Sequence, residues 1–509
     1  MFQKRWFRQL FRHRFYILIL LLLQAVLMVH FVLSTSRAMA WVGYALNLIS
    51  LLAALHIVFQ KDKGAYKLTW VFLILLFPVF GGLLYLMFMF QVPMRRAQLR
   101  IEELKRQTQT QYMQTEGVCK NAAERAPGCE AQVRYLENCA GFPSYTHTQT
   151  QYYPIGEAYF EALLEAVKQA ERYVFLEYFI VQEGKMWNSI LDVLFEKAAQ
   201  GVDVRLIYDD VGCFFLLPKD YKRFLEQHGI RAYVFNPFRP FLSTLQNNRD
   251  HRKIAVIDGN VAFTGGINLA DEYINAIEKH GHWKDVGVRL EGAAAWSFTV
   301  MFLQMWELCS GETEDYESYK SNAPLPYSDG LVLPYTDSPL DKENVCEHVY
   351  LQIINNAKKY VYINTPYLIV DDSMVSALCL AAKSGVDVKI VTPHKWDKWF
   401  VHFTTRSFYR ELIAAGVEIY EYEKGFVHAK TFVSDDTVAT VGTANLDFRS
   451  LYLHFECGVW MHKTRAVQAV HDDFVRTLPV CRKITPKDCK SNPIVHLLEE
   501  IFRLFAPLM

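Results

Sequence analysis

The sequence predicts an α/β protein built as two pseudo-symmetric halves with mostly parallel sheets, preceded by an N-terminal transmembrane helical region. Three observations carry that prediction: a duplicated motif, a duplicated frame of strands and helices around it, and long apolar stretches ahead of both. The segment His251-Arg-Lys253-Ile-Ala-Val-Ile-Asp258 recurs as His428-Ala-Lys430-Thr-Phe-Val-Ser-Asp435. Each copy is followed by a Gly and then an Asn, in Gly265-Gly-Ile-Asn268 and in Gly442-Thr-Ala-Asn445. One such motif is weak evidence, and two with matched tails are strong evidence.

Residues 1–94 contain apolar stretches at about 15–33, 41–59 and 68–90, each near the roughly twenty residues that cross a hydrocarbon core as helix. Pro78 and Gly81-Gly82 in the third are tolerated in membrane helices. Lys4, Arg5, Arg8, Arg12 and Arg14 before the first stretch and Ala38-Met-Ala40 after it also resemble a signal peptide, but the apolar run exceeds a normal signal core. Lys61, Lys63 and Lys67 put the second loop in the cytoplasm, whereas Arg95, Arg96, Arg100, Lys105 and Arg106 pull the following segment to the same side. The membrane face of the remaining chain therefore stays open.

Residues 95–150 are polar and read as a linker. Then come the halves, 151–320 and 321–490. Tyr173-Val-Phe-Leu-Glu177 and Gly201-Val-Asp-Val-Arg-Leu-Ile precede the first motif, and Tyr360-Val-Tyr-Ile-Asn364 and Gly385-Val-Asp-Val-Lys-Ile-Val precede the second. The apolar runs suit strands buried on both faces, and the helical patterns at 187–200, 221–228, 374–384 and 405–415 suit crossovers of a parallel sheet. Gly201, Gly229, Gly385 and Gly416 follow those helices as caps. Residues 491–509 space their large apolar side chains as an amphipathic helix, which suits either packing on the domain or lying on lipid.

Composition narrows the function. Formal net charge is zero, which gives no broad attraction to nucleic acid. Ten Cys lack metal-ligand spacing, so no metal site is indicated. Aromatic groups at Phe214, Phe215, Phe235, Phe238 and Phe241, and at Trp396, Trp399, Phe400, Phe403, Phe408 and Tyr409, precede the two motifs. They suit core packing or a rim that meets acyl chains.

The motif residues fit metal-free chemistry on a phosphodiester. Lys253 and Lys430 can neutralise the nonbridging oxygens, with Asn268 and Asn445 donating hydrogen bonds where charge builds. One imidazole must be neutral to attack phosphorus and the other protonated to supply the leaving oxygen; the pattern alone allows either assignment of His251 and His428. Asp258 and Asp435 suit bracing of the motif more than proton exchange.

The paired motifs, together with Lys67-Leu-Thr-Trp70, Phe77-Pro78, Asn248-Arg-Asp-His251, Trp283-Lys-Asp285, Asn445-Leu-Asp447-Phe-Arg449-Ser450, Phe455-Glu456 and Leu504-Phe-Ala-Pro507, resemble the bacterial cardiolipin synthase family of the phospholipase D superfamily. The likeness covers roughly residues 45–509. It implies two phospholipase-D-like halves and phosphatidyl transfer from one phosphatidylglycerol to another, giving cardiolipin and glycerol. It also implies His251 as nucleophile, His428 as general acid and then base, and Asp285 and Glu456 as the carboxylates that orient the imidazoles. A multi-pass protein of the bacterial cell membrane follows, without cofactor or nucleic-acid partner, and with phosphatidylglycerol and cardiolipin in the bilayer as its ligands. Gly266 and Thr443 stand where the family usually has Ser. The rival readings are a hydrolytic phospholipase D, a transferase to serine or ethanolamine, an anchored nuclease and a decayed scaffold.

Overall fold

The structure is a computed structural model and describes residues 37–60, 63–77, 81–82, 85–86, 92–113, 115, 117–238 and 244–508. It divides into two compact units, one of Met1–Arg96, Phe238–Asn247 and Leu504–Met509, the other of Ala97–Pro237 and Asn248–Arg503.

In the first unit, a helix at Arg37–Phe59 covers the expected second apolar stretch, and a helix at Gly64–Leu76 covers the start of the third. The expected span at 15–33 and the Pro78 region lie outside the described residues. Among the described residues no helix is long and apolar enough to cross a membrane. The two helices bury Ala53, Ile57, Trp70 and Ile74 with Tyr85, and Thr69 donates its hydroxyl to the Leu504 carbonyl at 2.7 Å. Trp41, Leu51, Leu52, Leu55 and Phe59 remain exposed.

The second unit carries the strands. In chain order they are β1 (Thr148–Tyr153), β2 (Tyr173–Tyr178), β3 (Asp203–Asp209), β4 (Arg231–Phe235), β5 (Arg249–Asp250), β6 (Lys253–Ile257), β7 (Val261–Gly265), β8 (His282–Lys284), β9 (Gly287–Gly292) and β10 (Leu331–Asp337). There follow β11 (Tyr360–Asn364), β12 (Leu368–Ile369), β13 (Asp387–Pro393), β14 (Glu418–Tyr422), β15 (Gly425–Val427), β16 (Thr431–Ser434), β17 (Val438–Gly442), β18 (Leu446–Asp447), β19 (His454–His462) and β20 (Cys481–Lys483). Among the described residues a first sheet runs β1-β9-β7-β6-β2-β3-β4 and a second runs β10-β19-β17-β16-β11-β13-β14-β20.

Both sheets are mixed, which corrects the expectation of mostly parallel ones. β2, β3 and β4 are parallel, as are β11, β13 and β14. Crossover helices Lys185–Ala199, Tyr221–Gln227 and Asp372–Lys383, and the pair Trp399–Ser407 and Tyr409–Ala414, make those links. The motif strands run the other way, β6 against β2 and β7, and β16 against β11 and β17. Their turns are too short for a crossover, so the chain must reverse as a hairpin. Left-handed turn residues mark both reversals: Asp258 has φ 52° and Asp435 has φ 54°. Buried apolar runs look alike in parallel and antiparallel strands, and turn length decides between them.

A helix at Ala295–Ser310 is almost wholly buried. The helix Glu130–Asn138 buries Val133 and Leu136, and Trp460 donates its indole N–H to Gln132 Oε1 at 2.7 Å. Near the C-terminus, the helix Pro493–Phe505 places Phe502 5.8 Å from the Trp399 ring and 5.4 Å from that of Phe403. Its Ile494, Leu497, Leu498 and Ile501 are exposed. One face thus packs on the domain while apolar residues remain open to the surroundings.

Candidate active site

The two halves pair short strands with each other at the motifs. β5 runs parallel to β19, pairing Arg249 with His454 and Asp250 with Phe455, and β15 runs parallel to β8, pairing Val427 with Lys284. The bonds continue into the motifs: His251 donates its backbone N–H to Phe455 O at 3.0 Å, and His428 donates to Lys284 O at 2.7 Å. The residue after each acceptor is a carboxylate. Glu456 therefore meets the first-half imidazole, with Oε1 and Oε2 at 2.8 and 3.1 Å from His251 Nδ1. Asp285 meets the second-half imidazole, with Oδ2 2.6 Å from His428 Nδ1. Each half supplies the histidine of one pair and the carboxylate of the other. Each carboxylate thus takes the Nδ1 side of its imidazole and fixes the ring's orientation.

His251, Lys253, His428 and Lys430 form one buried electrostatic cluster. Lys253 Nζ donates to His251 O at 2.6 Å, and Lys430 Nζ donates to His428 O. Burial lowers Lys253 to about 8, with Glu456 and Asp285 opposing, and lowers Lys430 to about 7, with Asp285 opposing. Burial and then the Lys253, His454, Lys430 and His428 charges hold His251 well below its ordinary value. His428 is pulled to about 4 by burial and Lys430 while Asp285 opposes. Groups whose charged forms oppose one another in this way favour an anion between them, and a bound phosphate would raise all of their pKa values again.

Asn268 Oδ1 accepts from Ile180 N at 3.0 Å and its Nδ2 donates to Tyr273 Oη at 2.7 Å. Asn445 Nδ2 donates to Asp447 Oδ2 at 3.1 Å, while its buried Oδ1 has no hydrogen-bond partner. Asp258 and Asp435 are placed elsewhere. At about 3.3 Å per residue, β6 carries Asp258 roughly 16 Å along the strand from Lys253. There it accepts from the backbone N–H groups of Glu171, Arg172 and Tyr173, each at 2.8 Å. Asp435 repeats this with Lys358, Lys359 and Tyr360 at 2.7, 2.8 and 2.9 Å. Both carboxylates brace the turn that enters the central strand.

The two departures from Ser have separate structural reasons. A side chain at Gly266 would run into the Asp285 carboxylate. Thr443 instead donates its hydroxyl to Glu456 Oε2 and accepts from Cys457 N at 2.9 Å. Burial still lifts Glu456 to about 8, with Lys253 and Thr443 opposing.

Sequence reasoning gave no site role to Tyr273, Trp283 or His454. The Tyr273 and Trp283 rings lie 5.6 and 5.4 Å from that of His428, and the His454 ring lies 5.4 Å from that of His251. The signal for His454 was its place two residues before Glu456, on the same face of one strand. His251, His454 and Glu456 hold possible metal-ligand atoms within 4.8 Å of one another, but the lysines around them oppose a dication. The aromatic groups divide: Phe235, Phe408 and Tyr409 are buried, Phe214, Phe215, Trp396 and Trp399 are exposed, and Phe241 lies outside the described residues.

Comparisons with known proteins agree with this architecture. A family model described as cardiolipin synthase, PLD-like domain, matches residues 163–288 and 350–478, and one described as phospholipase D-nuclease N-terminal matches 48–88. A cardiolipin synthase of Geobacillus sp. is 34% identical over 92% of this chain and 95% of its own. Cardiolipin synthase 2 of Bacillus anthracis is 35% identical over 89% of each. An uncharacterized protein of Streptococcus mutans is 43% identical over 90% of this chain and 99% of its own. The crystal structure of phosphatidylserine synthase from Haemophilus influenzae shares the fold, with TM-score 0.59 at 14% identity over 74% of this chain and 99% of that one.

Proposed function

The chain belongs to the cardiolipin synthase family of phospholipase-D-like enzymes, and from that premise we propose that it moves a phosphatidyl group from one phosphatidylglycerol to the terminal hydroxyl of a second, giving cardiolipin and glycerol. The observation that carries this reading is the crossed pairing of His251 with Glu456 and His428 with Asp285 in one buried cationic cluster.

His251 Nε2 attacks phosphorus and the P–O bond to glycerol breaks, while His428 gives its proton to the departing oxygen. The acceptor hydroxyl then returns a proton to His428 and attacks the phosphatidyl-histidine, freeing His251. His251 is the nucleophile in this reading because its surroundings favour the neutral imidazole more strongly, whereas Asp285 favours the charged form of His428. Lys253 and Lys430 neutralise the nonbridging oxygens, and Asn445 donates an amide N–H to them.

The halves at 151–320 and 321–490 carry the reaction, joined through residues 95–150 to an N-terminal anchor at 1–94 in the bacterial cell membrane. The exposed Trp41, Leu51 and Phe59 support that placement. Exposed Trp396, Trp399, Ile494 and Leu497 form a lipid-facing rim with the C-terminal helix, and proximity to lipid keeps water from the intermediate.

The test is labelled phosphatidylglycerol in micelles with chelator present. Cardiolipin and free glycerol in equal amounts are expected. Phosphatidic acid as the sole product, or product formation only after serine or ethanolamine is added, overturns the reading.

A further inference from the structure

His454 is a third imidazole at this site, and the reaction above leaves it unused. It opens β19 at 8% exposure, beside the His251 ring, and neither of its ring nitrogens has a hydrogen-bond partner in the protein. Its Nδ1 lies 3.8 Å from Glu456 Oε1. Buried polar groups are ordinarily paired, so an imidazole left with both nitrogens unmatched marks a place where a bound group completes the bonding.

The neighbours say what kind of group. His454 is the register partner of Arg249 in a parallel strand pair, so both side chains leave the ladder on one face. Arg249 is 2% exposed, lies 3.4 Å from Asp209 and donates to Asn236 O at 2.9 Å. Arg449 comes from the short helix Phe448–Tyr452 that leads into β19. Burial and Arg249 hold its guanidinium below the ordinary value while Asp447 opposes. Burial, then Arg449, Lys253, Arg249 and Lys398, keep His454 uncharged. Of these, Lys398 is exposed. A neutral imidazole can give or take one hydrogen bond while the guanidiniums supply charge, a set suited to an anionic oxygen group.

Cardiolipin synthesis needs such a place. Its product holds two phosphodiesters on one glycerol, so the acceptor brings a second anion within a three-carbon arm of the phosphate on His251. Lys253 and Lys430 already serve the transferred phosphate, and the arm lets the second fold to the flank of the attack line. Resting on the reaction proposed above, we propose that Arg249, Arg449 and His454 form a second anion subsite that receives the phosphodiester of the acceptor phospholipid. Water and neutral alcohols gain nothing from this subsite, so it selects an anionic glycerophospholipid as acceptor.

The experiment compares two acceptors on one donor. Phosphatidylglycerol micelles are supplied with labelled glycerol, and the ratio of cardiolipin formed to glycerol exchanged into phosphatidylglycerol is measured for the full chain, Arg449→Gln and His454→Asn. Loss of a charged or hydrogen-bonded contact to the anion lowers that ratio by about tenfold or more, and Arg449→Lys restores most of it. A ratio that stays put, with both products falling together, overturns the proposal. Should the variants lose both reactions, the unaltered enzyme decides: glycerol 3-phosphate is expected to accept about tenfold better than glycerol, and equal use overturns the subsite. Absence of cardiolipin from the unaltered enzyme sinks the parent reaction instead, which separates the two failures.

Discussion

Beside the first motif Arg252 forms a buried ion pair with Glu177, whereas the equivalent positions beside the second are Ala429 and Asn364, with Asn364 donating to Thr431 Oγ1 at 3.0 Å. The orienting carboxylates differ in the same way. His251 meets the longer Glu456, steadied by Thr443, and His428 meets the shorter Asp285, which occupies the space a side chain at Gly266 would need. The backbone frame is repeated almost residue for residue, down to the Asp258 and Asp435 turns. Duplication therefore fixes where the groups stand, and the few unmatched side chains give two like imidazoles different surroundings.

The comparison breaks most sharply at the histidines. His251→Ala and His428→Ala are each expected to cut transfer from phosphatidylglycerol by about 10⁴-fold or more, as members of one catalytic unit do. A donor with a nitrophenol leaving group needs no acid, so His428→Ala should still form the phosphoenzyme, detected by trapped label, and His251→Ala should not. The opposite outcome reverses the roles. Next come the crossed carboxylates. Asp285→Asn and Glu456→Gln are expected to lower kcat/KM by about 10²-fold or more, because the imidazole held across the halves loses its tautomer and orientation. Steady-state kinetics within a factor of three of the original would remove that role.

The buried pair offers a stability test. Arg252→Ala strands Glu177 at 0% exposure and should cost about 3–5 kcal/mol, seen in denaturant unfolding. The double change Arg252→Ala with Glu177→Leu removes both charges and should recover part of it, Asp250 remaining without its Arg252 contact; additive losses would show that the two side chains are not coupled. The smallest effect is expected at Thr443. Its hydroxyl lowers the pKa of Glu456, which lies at about 8. Glu456 holds the Nδ1 proton of His251 as a carboxylate, the form present above its pKa. Thr443→Val therefore moves the acidic limb of the kcat/KM profile upward by roughly half a unit to one unit. A limb that stays fixed or moves down contradicts the assignment.

The duplicated motif, its Gly and Asn tails and the order of strands and crossover helices were legible in the sequence because they are local patterns of burial and turn chemistry. Strand direction was not, since β6 and β16 have the continuous apolar look of parallel strands and reverse only because their turns are short. His454 was hidden for a related reason. One histidine on an apolar strand reads as core until the partner strand brings Arg249 beside it.

The amino-acid order by itself determined the inventory: two imidazoles, two ammoniums, two amides and two carboxylates, in copies similar enough to demand similar halves. Tertiary structure alone decided that each carboxylate serves the histidine of the opposite half, and that Asp258 and Asp435 stay at the turns. The reason is physical. Spacing along the chain fixes which residues share a strand face, whereas the pairing of β5 with β19 and β15 with β8 joins residues 143 and 205 positions apart, a choice that no local pattern encodes.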